Sequence, residues 1–168
     1  GLGSYIFLSA KLGMESFRFE RVLAWLDPFA YRDGKGYQII QSLFAISSGG
    51  LFGLGLGQSR QKLGFIPEPE NDIIFSVICE ELGFFGATII LILFGMLIWR
   101  GIKIAINAPD LYGCLVSSGI VIMIAIQVVI NVAVATNSMP NTGVPLPFIS
   151  YGGTSLIIFM ALSGVLLN

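Results

Sequence analysis

The chain has 168 residues, of which 55% are hydrophobic and only 11% charged, and its mean hydropathy is +0.85. Soluble domains carry about 25% charged residues, so this composition excludes an ordinary soluble protein and indicates that lipid solvates much of the surface. The net charge of -1 indicates no class of partner, and the lack of histidine excludes imidazole acid–base catalysis and histidine metal ligands. Cys79 and Cys114 form no CxxC pair and are interpreted as small apolar residues of helices.

Residues 1–12 are predicted to end a transmembrane helix, and residues 13–72 are predicted to form a long loop. Residues 1–12 are too few to span a bilayer, which takes about 20 apolar residues, and they lack the basic start of a signal peptide. They are therefore interpreted as the end of a transmembrane helix. In the predicted loop, residues 13–72, apolar positions 37, 40, 43 and 44 indicate a short amphipathic helix on the membrane over 37–46. The five glycines of residues 49–57 indicate an irregular segment after it.

Three apolar stretches predict membrane-spanning helices over residues 73–99, 111–136 and 148–168. Backbone polar groups find no water in hydrocarbon, so such stretches are expected to be helical, and no recurring alternation favours a barrel. Residues 100–110 and the Pro-rich residues 137–147 connect them. The predicted fold is therefore an all-α, polytopic integral membrane protein with one partial and three full transmembrane helices.

The sides of the membrane are assigned from the charges nearest to it. Three spans place residues 13–72 and 137–147 on one side and residues 100–110 on the other. Counting every Lys and Arg would put the long loop inside, but the positive-inside rule weakens for loops of about 60 residues. Arg100 and Lys103 directly follow a span and are therefore placed in the cytoplasm, with both other loops outside.

Asp72 and its neighbours are candidates for chemistry. Arg60 and Lys62 precede Glu68 and Asp72, and a predicted membrane helix follows at once. On one interpretation Asp72 is simply the N-cap of that helix and the other acids are solvated. On the other, Asp72 is a general base toward a sugar hydroxyl at the membrane surface, while fixed cations hold a lipid diphosphate. The nearby GLGLG lacks the strand and helix of a nucleotide-binding unit, so close backbone packing is the preferred interpretation.

Polar residues inside the predicted spans are expected to pair within the protein. Glu80 and Glu81 point about 100° apart on a helix, so at least one should face a cavity or a partner helix. They are either structural carboxylates or a polar relay. Gln127 and Asn131 lie four positions apart on one helix face, which predicts interhelical hydrogen bonds or a polar groove.

The segment before the last span combines prolines, glycines and hydroxyl groups. Gly152 and Gly153 are predicted to let neighbouring helices approach closely, and Ser150 offers a hydroxyl there. Composition alone indicates a rigid loop and no substrate.

Several blocks of sequence resemble the FtsW/RodA/SpoVE family, and they occur in the same order. They are RFERVLAWLDP at 18–28, GYQIIQSLFAISSGGLFGLGLGQSRQKLGFIPEPENDIIF at 36–75, EELGFFG at 80–86 and PFISYGGTS at 147–155. The resemblance covers essentially the whole chain and is nearest to the FtsW/SpoVE branch of Gram-positive bacteria. Asn137 and Ser138 depart from the Gly and aliphatic residue of many relatives, but Asn tolerates a left-handed backbone, so the loop is expected to keep its shape.

The resemblance implies a C-terminal fragment of a ten-helix, multi-pass protein of the bacterial plasma membrane. It implies a peptidoglycan glycosyltransferase that polymerises lipid II into glycan strands during division or sporulation, beside a class B penicillin-binding protein. Its catalytic residue would be Asp72, and no nucleic acid is expected as a partner. A divalent cation, Mg²⁺ or Mn²⁺, could share the work, although no complete metal site is visible. Candidate substrate-binding residues are Arg18, Arg21, Arg60, Lys62, Glu68, Ser150, Gly152 and Gly153.

Two other functions remain open at this level. Acids within helices would also suit a transporter that flips lipid II across the bilayer. A non-catalytic scaffold for the penicillin-binding protein would need no catalytic acid at all.

Overall fold

The computed structural model describes residues 23–31, 35–58 and 74–167, and within these ranges the regular structure is helical, with no strand. A single helical turn at 23–26 comes first. The helices that follow are α1 (Lys35–Gly49), α2 (Ile74–Ile106), α3 (Leu111–Ala135) and α4 (Gly153–Leu167). The predicted partial helix at 1–12 lies outside the described residues.

The long helices α2 and α3 are apolar on every side, as expected of helices surrounded by lipid and protein. Large apolar side chains of α2 such as Ile92, Met96 and Trp99 remain more than half exposed. Both helices are long and apolar enough to span a membrane. Helix α4 has 15 residues, or about 22 Å, which is shorter than the roughly 30 Å hydrocarbon layer. The described residues thus contain two candidate spans, and the predicted third span stays a prediction.

Helix α2 continues through Ile106, well past residue 99, where the predicted span ends. Its last turns hold Arg100 and Lys103, whose long apolar stems let a helix carry charge beyond the hydrocarbon layer. The Lys103 ammonium lies 4.2 Å from the centroid of the Trp99 ring. The charged residues thus extend the helix rather than ending it.

The core lies between α2, α3 and α4 and is closed at one end by the Pro-rich loop. The cluster contains Phe94 from α2, Ile124 and Val128 from α3, Leu146 from the loop and Phe159 from α4. At the far end of α2 and α3, a Cβ on Gly101 would overlap the Val121 side chain, so the backbone of α2 lies directly against α3 there.

Helix α1 confirms the predicted short helix, and its placement on the membrane stays a prediction. Ile40 is buried against protein, Phe44 is 48% exposed, and the polar Ser42 is only 1% exposed. The buried side of α1 packs mainly on α2, with Ile46 against a cluster that includes Phe75. Protein contacts therefore decide which side of α1 is covered.

A candidate active site at one end of the helix bundle

Helix α2 is broken at Gly83, which has φ 68° and ψ -170°. This backbone region is essentially restricted to glycine. The break leaves a first segment of residues 74–82 and a second of residues 84–106. The second segment alone is about 35 Å long and could cross the hydrocarbon layer.

The glycine-rich segment after α1 repairs the break through its own backbone. In an unbroken helix Phe84 N–H and Phe85 N–H would donate to the carbonyls four residues earlier. Instead Phe84 N–H donates to the Gly50 carbonyl at 2.9 Å, and Phe85 N–H donates to the Leu51 carbonyl at 3.2 Å.

The two helix carbonyls released by the break are also occupied. Leu54 N–H donates to the Glu80 carbonyl at 2.9 Å, and Gly55 N–H donates to the Glu81 carbonyl at 3.0 Å. Two lost helical bonds are thereby replaced by four bonds to the loop. Irregular backbone is tolerated at membrane depth only when protein satisfies it in this way.

This backbone-to-backbone pairing with α2 explains why residues 49–57 are rich in glycine. A Cβ on Gly49 would lie 2.8 Å from the carbonyl carbon of Cys79, and one on Gly53 would lie 2.7 Å from the backbone nitrogen of Gly83. Both contacts are closer than Cβ atoms adopt, and both partners are backbone. Close backbone packing, predicted in place of a nucleotide-binding loop, is confirmed.

The Pro-rich loop is tied to α1 and to the segment before it. The Asn141 side-chain amide donates to the Gln38 side-chain oxygen at 2.7 Å, and Ser42 Oγ donates to the Ala135 carbonyl at the end of α3 at 2.9 Å. The indole N–H of Trp25 donates to the Asn137 carbonyl at 2.8 Å. Both segments predicted to face outside therefore meet at one end of the bundle, where α2 begins and α3 ends.

The interior of the Pro-rich loop is held by polar side chains. Asn137 has φ 56°, which confirms the expectation that it adopts a left-handed backbone. The Asn131 side-chain amide donates to the Val144 carbonyl at 2.8 Å. Asn131 thus holds this loop, while interhelical hydrogen bonds or a polar groove at Asn131 and Gln127 stay a prediction.

Of the predicted substrate-binding residues, those in the last segment are described. Ser150 is buried, and its hydroxyl accepts a 2.8 Å hydrogen bond from Leu146 N–H, which gives it a structural role. A Cβ on Gly153 would meet nothing within 4 Å, and one on Gly152 would meet only the Ser155 side chain. Within the described residues no other helix approaches these two glycines closely, whereas α3 does approach Gly101, so the predicted close approach at Gly152 and Gly153 stays a prediction. Contact of these residues with substrate stays a prediction.

The remaining candidates fall on residues that the structure does not describe. They are Arg18, Arg21, Arg60, Lys62, Glu68 and Asp72. Asp72 is two positions before Ile74, the first residue of α2. In the described part of the chain, no group of three Asp, Glu or Cys side chains could hold a metal ion.

Glu80 confirms the prediction that at least one of the two adjacent acids turns inward. It is 1% exposed, and Glu81 is half-buried. Both lie in the last turn of the first segment, just before the break. The two acids therefore lie against protein, near the break in α2, and not in the middle of an uninterrupted span.

Sequence reasoning missed the partners that assemble this end of the molecule. Gly83, Trp25, Gln38 and Asn141 were not singled out. A glycine two positions after a pair of acids in an apolar stretch was the available signal for the break. The Gln38–Asn141 bond joins residues about a hundred positions apart, and no local pattern indicates it.

A family model described as "Cell cycle protein", that of FtsW, RodA and SpoVE, matches residues 2–168. The chain belongs to the FtsW/RodA/SpoVE family. This family member is 57% identical over 152 residues to stage V sporulation protein E of Bacillus subtilis (strain 168), which covers 90% of this chain and 42% of that protein. It is 45% identical over 163 residues to the probable peptidoglycan glycosyltransferase FtsW of the same organism, covering 97% of this chain and 40% of that protein.

Solved structures of the FtsW/RodA/SpoVE family share the fold. A chain of a peptidoglycan synthase complex matches with a TM-score of 0.67 and 37% identity, covering 88% of this chain and 40% of that one. The rod shape determining protein RodA of Thermus thermophilus matches with a TM-score of 0.56 and 40% identity, covering 75% of this chain and 37% of that one. The present chain thus spans about two fifths of the length of the relatives that it matches.

Proposed function

We propose that the full-length protein is a peptidoglycan glycosyltransferase that crosses the bacterial plasma membrane several times and polymerises lipid II into glycan strands. The observation that carries the proposal is a set of hydrogen bonds at the end where α2 begins: α1 is bonded to the Pro-rich loop and to the end of α3, and the glycine-rich segment that follows α1 is bonded to α2. These bonds supply a rigid wall beside the start of α2. Relatives named as probable peptidoglycan glycosyltransferases support the reaction.

The proposed chemistry is an inverting glycosyl transfer with Asp72 as general base. Asp72 takes the proton of the acceptor sugar hydroxyl while that oxygen attacks the anomeric carbon of the donor. The bond between that carbon and the lipid diphosphate breaks, and the diphosphate leaves with the electron pair. The donor is the growing lipid-linked glycan, and the acceptor is lipid II.

Stabilisation of the leaving diphosphate is assigned to cations of the long loop. Arg and Lys suit this role because they pair with phosphate oxygens. A divalent cation, Mg²⁺ or Mn²⁺, is proposed to share it. The candidates are Arg18, Arg21, Arg60 and Lys62.

We propose that the repaired break fixes the position of Asp72 through the start of α2. A general base must stay within hydrogen-bond reach of the proton that it takes, so its anchor must not drift. Two backbone bonds, to the Glu80 and Glu81 carbonyls, hold the first segment of α2 to the glycine-rich segment, and two more hold the second segment. Asp72 precedes the first segment by only two positions, and we propose that the bonds hold it in place through this short connection.

The proposal also names a partner. A class B penicillin-binding protein would cross-link the strands that this protein polymerises. A related chain occurs in a structure of a peptidoglycan synthase complex that concerns polymerisation and cross-linking, which supports this assignment.

The test is polymerisation of lipid II by full-length protein with its penicillin-binding partner in proteoliposomes. Asp72→Asn is expected to lower the rate by roughly 10²- to 10⁴-fold, the usual contribution of a general base. The matched control is Asp27→Asn, since Asp27 is an exposed acid whose carboxylate only caps Ala30 N–H. Asn keeps an oxygen for that bond, so normal activity is expected.

Two outcomes would contradict the assignment. Full activity of Asp72→Asn would remove Asp72 from the mechanism. Translocation of fluorescent lipid II by protein that forms no glycan, measured in parallel, would favour the transporter.

A further inference from the structure

A pocket lies at the opposite end of the bundle from the joined loops. It has a volume of about 540 Å³, within the range of about 300–1,000 Å³ typical of ligand sites. The end of α2, the connection to α3 and the end of α4 enclose it. Its lining includes Arg100, Lys103, Asn107, Ser117, Val165 and Leu166.

Positive charge dominates this pocket. Arg100 and Lys103 lie three positions apart and hence on neighbouring turns of one helix face. Both are exposed, and neither forms an ion pair within residues 23–31, 35–58 and 74–167. Asp110 also lines the pocket, but its carboxylate accepts a 2.9 Å bond from Gly113 N–H as the N-cap of α3. An excess of one positive charge remains.

The rest of the pocket lining offers both apolar and polar surface, and a bound lipid needs both. Ile104, Val165 and Leu166 provide apolar surface on the ends of α2 and α4. Ser117, a polar residue that is only 9% exposed, lines the same pocket. Cations beside apolar helix ends match a phosphate group that carries acyl chains, and basic pockets between transmembrane helices bind anionic headgroups.

We propose that this pocket binds the headgroup of an anionic phospholipid from the adjacent leaflet. Its phosphate lies between the Arg100 guanidinium and the Lys103 ammonium. Its acyl chains run along Val165 and Leu166 toward the hydrocarbon layer. The site is separate from the proposed glycosyltransferase site, since it lies at the other end of the bundle.

The probe is phosphatidylglycerol, titrated onto the purified full-length protein and followed by native mass spectrometry. The double variant Arg100→Gln/Lys103→Gln is expected to bind it roughly 30-fold more weakly, about fivefold for each cation. The charge-preserving variant Arg100→Lys/Lys103→Arg is expected to retain most of the binding. The control Lys35→Gln removes one charge at the start of α1, a helix that does not line the pocket, and should leave binding unchanged.

A further variant keeps both charges and fills the space. Leu166→Trp should lower phosphatidylglycerol binding without changing net charge, and it tests the pocket even where the glutamine variant fails to fold. Phosphatidylcholine should bind weakly, and glycerophosphoglycerol, which lacks acyl chains, should not displace the lipid.

Three results would overturn the proposal. Equal losses in the two glutamine variants would show an unspecific charge effect. If the pocket variants bound phosphatidylglycerol as well as the unmodified protein does, Arg100 and Lys103 would have a role in membrane orientation alone. Displacement by glycerophosphoglycerol at matching concentration would assign the pocket to a soluble anion.

Discussion

Replacement of Gly83 by alanine tests the repaired break in α2 directly. A Cβ at this position would lie 2.6 Å from the Leu51 carbonyl oxygen and 2.7 Å from its carbon, and it would also overlap the backbone nitrogen of Gly53. None of these atoms belongs to a flexible side chain that could turn away. The glycine-rich segment would therefore have to move off the helix.

The expected loss of stability has two parts. Holding alanine at φ 68° and ψ -170° costs about 1–3 kcal/mol. Moving the segment opens the bonds from Phe84 N–H and Phe85 N–H, and a buried group left without its partner costs about 1–3 kcal/mol. With partial relaxation of the loop, Gly83→Ala should destabilise the protein by roughly 3–6 kcal/mol.

Two other glycines provide matched controls. Gly95 lies in the same helix, and a Cβ there would meet nothing within 4 Å, so Gly95→Ala should be neutral or stabilise by up to about 1 kcal/mol. Gly50 has φ 54° but is equally open, so Gly50→Ala isolates backbone strain of about 1–2 kcal/mol.

The assay is thermal denaturation of the purified full-length protein in one detergent. With about 1–2 °C for each kcal/mol in a protein of full length, Gly83→Ala should melt roughly 5 °C below Gly95→Ala, with Gly50→Ala between them. Equal melting temperatures for Gly83→Ala and Gly95→Ala would refute the reasoning, because the loop would then contribute nothing to the helix.

Two serines give the remaining predictions. Ser42→Ala removes the bond to the Ala135 carbonyl and should destabilise by about 1 kcal/mol, whereas Ser47→Ala, an exposed site bonded within its own helix, should have little effect on the same melting curve. Ser150→Ala leaves the buried Leu146 N–H without its acceptor and should destabilise by about 1–3 kcal/mol; an unchanged melting temperature would show that Ser150 serves something other than the loop.

The composition and apolar stretches determined the class of the protein and most of its helices. Apolar residues on all sides of α2 and α3 require lipid around them, and this requirement is readable without any partner residue. The glycine count of residues 49–57 likewise indicated close backbone packing, because glycine alone permits it. The interior position of Glu80 followed from the cost of an ionised acid in lipid.

Only the tertiary structure decided where α2 breaks and what repairs it. The repair pairs Gly50 with Phe84 and Leu54 with Glu80, residues about 30 positions apart, and a periodic pattern carries no information on such pairs. The same holds for Gln38 and Asn141, which unite the two loops. Each helix can be predicted from the hydrophobicity of its own residues. The candidate active site depends instead on directional hydrogen bonds between segments far apart in the sequence, and these bonds exist only once the helices are packed.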